Sequence, residues 1–171
     1  MAIVVVGLNH TTAPVAVRER LAFSDATLAQ ALAHFRPPEV QELVILSTCN
    51  RVELYMQTRE VDASVASCVA FMAACHGVPS PQFTSHLYQW SDLEAVRHLF
   101  RVAASLDSLV LGEPQILGQV KAAYLAAQTA GDDTATITLT FNPTSSVASA
   151  GKRSSFPSPQ RISSCTFLPS T

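Results

Sequence analysis

Glycine is scarce in this 171-residue chain, with only 6, and none of them falls in a GxGxxG-like run of the kind that cradles a dinucleotide pyrophosphate. Cysteine is sparse too. Cys49, Cys68, Cys75 and Cys165 form no CxxC pair and have no zinc-ligand spacing, which argues against a disulfide framework and against a structural metal. No apolar run approaches the roughly 20 residues that a membrane-spanning helix needs, and the start MAIVVVGLNH has no basic segment ahead of its apolar stretch. A cytoplasmic protein without a membrane partner is therefore expected. Charge is thin: 14% of residues, with 11 Lys and Arg against 13 Asp and Glu, a net of -2. The basic surplus of an electrostatic nucleic-acid binder is missing, so any RNA contact must be local.

What the chain does have is apolar content, 48%, enough for a real core. Ala2 to Leu8 is a continuous β-branched run that predicts one buried central strand. Ser24 is placed to cap a helix bearing Leu28, Leu32 and Phe35 on one face, ended by Pro37-Pro38. Glu42 to Thr48 reads as a second buried strand, and Val52 to Thr58 alternates as a half-exposed third. A helix over Val61 to His76 turns Val65, Cys68, Val69 and Met72 inward and ends at Pro79 and Pro81. Leu87 to Trp90 suggests a fourth strand. Ser91 and Glu94 have capping-box spacing for a helix through about Ser105, with Val96, Leu99, Phe100 and Ala103 as its buried stripe. Pro114 suits the first position of a last helix whose face continues through Ile116, Val120 and Tyr124. This order predicts an α+β fold: a ferredoxin-like antiparallel or mixed sheet with helices packed on one face.

The texture changes near Gly131. From Asp132 onward half the residues are Ser, Thr or Pro, and the few apolar ones keep no sustained helical period. Residues 1-131 are thus expected to form the folded domain and 132-171 a low-complexity, largely disordered C-terminal tail. A short strand over Thr134 to Phe141 is the competing reading.

The sharpest chemical feature is Ser47-Thr48-Cys49-Asn50-Arg51, a thiol at the end of a predicted buried strand with a guanidinium two residues on. A nearby cation favours thiolate, the nucleophilic form, so Cys49 is suited to attack an electrophilic carbonyl. A buried structural cysteine is the alternative. Cys68 and Cys75, seven apart on one helix, read as core filler. His98 reads as a boundary residue unless its helix packs near the Cys49 strand end, where it would shuttle a proton. His10, His34, His76 and His86 read as turn or surface positions. Asp107, Ser108, Glu113, Gln115 and Gln119 make a polar string suited either to a small polar ligand or to capping and solvation.

Three segments together resemble one family: GLNHTTAPVAVRERLAF at Gly7 to Phe23, LSTCNRVELY at Leu46 to Tyr55, and HLFRVAASLDSLVLGEPQILGQVKAAY at His98 to Tyr124. Over residues 1-131 the chain is similar to the N-terminal catalytic domain of glutamyl-tRNA reductase. The resemblance implies that Cys49 attacks the ester of glutamyl-tRNA to give a thioester. NADPH then reduces it to glutamate-1-semialdehyde, the precursor of 5-aminolevulinate, haem and other tetrapyrroles. It further implies His98 as an activity-supporting residue and a glutamate pocket of Thr48, Asn50, Arg51, Ser108, Glu113, Pro114, Gln115 and Gln119. Implied partners are glutamyl-tRNA, a glutamate-1-semialdehyde aminomutase and, in full-length members, a second copy in a homodimer. The chain departs from the pattern after Gly131: the family's NADPH-binding and dimerisation domains are not found, and the tail reads as truncated or frameshifted. The expectation is a thiol half that acts as a glutamyl-tRNA esterase, without its own dimer contacts. A non-catalytic module binding tRNA or protein is the alternative.

Overall fold

The first strand, β1 (Ala2–Asn9), is buried on both faces, with Val4, Val5 and Val6 all closed to water, which is why its Val run shows no alternation. β1 lies antiparallel to β3 (Arg51–Thr58) on one side and to β4 (Tyr88–Ser91) on the other, while β2 (Val40–Ser47) pairs with the far edge of β3. The order β2-β3-β1-β4 is the ferredoxin-like arrangement, all antiparallel. The computed structural model describes residues 1–109, 112 and 114–130. The tail from 132, with its candidate strand at Thr134 to Phe141, and Glu113 lie outside the described residues.

Helices α2 (Asp25–His34) and α3 (Val61–His76) fall where the sequence predicts them, and a short helix that it did not predict, α1 (Val15–Leu21), precedes them. Val4, Val6, Leu8, Leu43, Ile45, Val52, Leu54 and Met56 from the sheet share one apolar core with Leu21, Leu32, Phe35, Cys68 and Met72 from these helices. Each such side chain removed from water contributes about 1.5–3 kcal/mol. Ser24 caps α2 as expected, its hydroxyl accepting from the Thr27 N–H while Thr27 Oγ1 accepts from the Ser24 N–H at 2.8 Å. α3 ends at Gly77 in the left-handed conformation, φ 61°, before the prolines are reached. Two 3-10 turns, Ser80–Gln82 and Thr84–His86, lead into β4.

Beyond β4 come α4 (Asp92–Ala103) and α5 (Gln115–Ala130). α4 packs on β1 and β4, and α5 runs past β2, touching α4 and α2. Several sequence expectations shift here. Ser91 makes no side-chain cap, because it belongs to β4. The next residue, Asp92, turns at φ 49° and accepts from the Ile3 N–H instead. The buried stripe of α4 is Ala95, Leu99, Val102 and Ala103, with Phe100 exposed. β3 is buried along nearly its whole length rather than half-exposed, because Tyr88, His98 and the Asp107 carbonyl close its second face. Cys75 is exposed rather than core filler. Among the described residues no single helix is long and apolar enough to cross a membrane.

Candidate functional site

Between β2 and β3 the chain turns through Thr48, Cys49 and Asn50. The Thr48 hydroxyl accepts from the N–H groups of Asn50 and Arg51, both at 3.2 Å, and the Thr48 N–H donates to the Arg51 carbonyl at 2.8 Å. One short side chain thus fixes the turn and leaves the next residue, Cys49, exposed to solvent. Cys68 is the opposite case: sealed in the core, its thiol is pushed up to about 12 by burial, so it stays protonated.

Arg51 leads from this turn into a buried cluster. Its side chain is 1% exposed. Nη1 donates to Glu53 Oε1 at 2.8 Å and Nη2 to the Asp107 carbonyl at 2.5 Å. Glu53, 0% exposed, collects four donors: Arg51, His98 Nε2 at 2.8 Å and the Tyr88 hydroxyl on Oε1, and the Tyr55 hydroxyl on Oε2 at 2.8 Å. Burial alone would push this carboxyl up. The His98 hydrogen bond, the charges of Arg51 and His98 and the Tyr88 hydroxyl outweigh it and hold the group below the usual carboxylate value. Burial, then the Glu53 charge, raises both tyrosine hydroxyls, which remain donors.

Local structure explains how these groups meet. Arg51, Glu53 and Tyr55 alternate along β3 and share one face. Gly7 sits between Glu53 and Tyr88 in the ladder. A Cβ there would lie 2.7 Å from both Glu53 Cγ and the Val52 carbonyl oxygen, so only glycine leaves room for the carboxylate. His98, on α4, meets Tyr88 edge-on at 5.3 Å and places Nδ1 3.7 Å from Asp107 Oδ2. After α4 the chain reverses through Ser105 at φ 60°. Asp107 thereby binds Arg101 at 2.8 Å while offering its carbonyl to Arg51.

Of the residues expected from the sequence, the structure gathers Arg51 and His98 through Glu53 and places Thr48, Cys49 and Asn50 in the turn at the head of that strand. Ser108 follows Asp107, half-buried in the loop. Pro114 and Gln115 are exposed at the start of α5, and Gln119 is half-buried one turn on. The side chains of Ser108, Gln115 and Gln119 make no hydrogen bond among the described residues, and nothing fastens them to the Cys49 turn. Sequence reasoning missed Glu53, Tyr55, Tyr88 and Gly7. The signal was present: Arg, Glu and Tyr at alternate positions of one strand form a polar stripe, and a lone glycine inside a Val run marks a close approach.

Comparison with known proteins bears on this site. The family model for the N-terminal domain of glutamyl-tRNAGlu reductase matches residues 6–154. A glutamyl-tRNA reductase of Paenibacillus macerans is 53% identical over 129 residues, which are 75% of this chain and 30% of that protein. One from Synechococcus sp. is 49% identical, also over 75% of this chain and 30% of its own length. Among solved structures, glutamyl-tRNA reductase from Methanopyrus kandleri superposes with a TM-score of 0.55 at 33% identity, covering 77% of this chain and 30% of that one. The chain therefore spans about 30% of the length of the relatives it matches.

Proposed function

Because the chain belongs to the glutamyl-tRNA reductase family, through that enzyme's N-terminal domain, we propose that Cys49 takes the glutamyl group from glutamyl-tRNA as a thioester. Cys49 Sγ attacks the ester carbonyl carbon. A C–S bond forms, the C–O bond to the terminal ribose breaks, and the thiol proton ends on the departing ribose oxygen. His98, held between Glu53 and Asp107, carries that proton. Arg51, enclosed by Glu53 and Asp107, supplies the positive charge that favours the substrate carboxylate beside the turn. Thr48 acts on the turn backbone, and Asn50, Ser108, Pro114, Gln115 and Gln119 line the glutamate pocket. The observation that carries this reading is an exposed thiol in a turn pinned by Thr48, at the head of the strand holding the Arg51–Glu53–His98 cluster.

The reductive step of the family uses NADPH. The described residues do not fit that cofactor: the sheet is antiparallel, with no parallel strand–helix–strand unit and no glycine loop opening a helix onto a pyrophosphate. Reduction to the semialdehyde, transfer to an aminomutase and dimerisation fall to the whole enzyme. For the chain itself, hydrolysis of the thioester gives free glutamate and a glutamyl-tRNA esterase. Incubation with radiolabelled glutamyl-tRNA tests this. The native chain releases glutamate above the buffer rate, whereas Cys49→Ser does not; equal release by both overturns the reading.

A further inference from the structure

The connection between β1 and α1 carries buried nitrogen groups that the thioester chemistry does not use. Asn9, the last residue of β1, pairs with Arg51, the first of β3, so His10 stands alongside the Thr48–Arg51 turn. The connection is held in shape. Asn9 Oδ1 accepts from the Thr11 N–H at 2.9 Å and its hydroxyl at 2.7 Å, and His86 Nδ1 meets the Thr12 carbonyl at 2.8 Å. Arg18, on α1, is 8% exposed and donates Nη1 back to the Ala13 carbonyl at 2.7 Å, which fixes its guanidinium against the same connection.

Two polar atoms there are unsatisfied. Arg18 Nε and His10 Nδ1 are buried without a hydrogen-bond partner among the described residues. The arginines around the site also differ in their charge balance. Arg51 is paired with Glu53, Arg101 with Asp107 and Arg97 with Glu94, whereas no acidic group among the described residues pairs with Arg18 or with its neighbour Arg20. A buried guanidinium lacking a counter-charge is costly to keep unless a ligand supplies one. His10 reports the same field. Burial, then the charges of Arg51 and Arg18, lower its pKa against the opposing Asp107.

We propose that Arg18 and His10 form a phosphate seat beside the Cys49 turn, occupied by a phosphodiester of the RNA acceptor end. The inference rests on the glutamyl-tRNA reading and adds to it the point where RNA backbone, rather than glutamate, is held. It also meets the demand of the charge balance, since a chain of net -2 needs a local cation for RNA. A second anion, the glutamyl carboxylate, is distinguished by the test.

The full chain is titrated with a deacylated acceptor-end RNA hairpin at several salt concentrations, which reads the seat whether or not the thiol turns over. Arg18→Gln is expected to weaken binding about tenfold and to reduce the salt slope by about one, with Arg18→Lys keeping most of both. Deacylation then separates the sources: Arg18→Gln slows glutamyl-tRNA through KM and leaves glutamyl-adenosine, which has no phosphodiester, unchanged. Equal losses on the two esters, or unchanged RNA binding, overturn the seat. If Arg18→Gln does not fold, the native chain decides: RNA titration shifts the His10 ring resonances, and their failure to move overturns the proposal. Failure of Cys49 chemistry with RNA binding still sensitive to Arg18 removes the thioester reading and spares the seat.

Discussion

The two faces of β3 are equally dry and chemically opposite. Val52, Leu54 and Met56 point into an apolar core with Leu32, Cys68 and Met72, whereas Arg51, Glu53 and Tyr55 point into a charged cluster closed by Tyr88 and His98. The first face gains from burial in proportion to area and tolerates shape changes. The second repays desolvation only while every donor and acceptor is matched. One strand thus carries the fold on one side and the orientation of Arg51 and His98 on the other.

Breaking the charged face is expected to cost most. Glu53→Gln leaves Arg51 buried without its counter-charge and should lower stability by about 3–5 kcal/mol in urea unfolding. In the apolar face Met72→Ala creates a cavity costing about 3 kcal/mol, yet Cys49 deacylation in the surviving folded fraction should match the native rate. If both substitutions reduce that rate alike, the division between the faces fails.

Acid sharpens the same contrast. Glu53 holds its proton less tightly when folded than when unfolded, so its stabilisation is complete above the usual carboxylate value near 4.5. It is lost as pH falls through the lower, folded value. Urea midpoints measured down through this window should fall in the native chain, and the part of that fall due to Glu53 should vanish in Glu53→Gln. The smallest expected effect lies at an exposed helix cap. Ser24→Ala removes the α2 cap and should cost about 1 kcal/mol without touching the chemistry.

Legibility in the sequence followed these two kinds of physics. The apolar face was readable because periodicity and burial are local signals: β1, the Ser24 cap and the span Val61–His76 were all expected where they occur. Cys49 and Arg51 were readable as neighbours in the chain. Glu53 was not, since an acidic residue in an alternating strand reads as solvent-facing until α4 is known to cover it. The turn of α4 was misjudged for a related reason: Phe100 looks like core by type, but the register set by His98 on Glu53 turns it outward.

The most direct measurement is mass spectrometry of the chain quenched in acid during incubation with glutamyl-tRNA. A glutamyl adduct on the peptide containing Cys49, labile to hydroxylamine and absent from Cys49→Ser, is the expected result. An unmodified Cys49 peptide while glutamate is being released, or an adduct confined to Cys75, would contradict the assignment of the thiol.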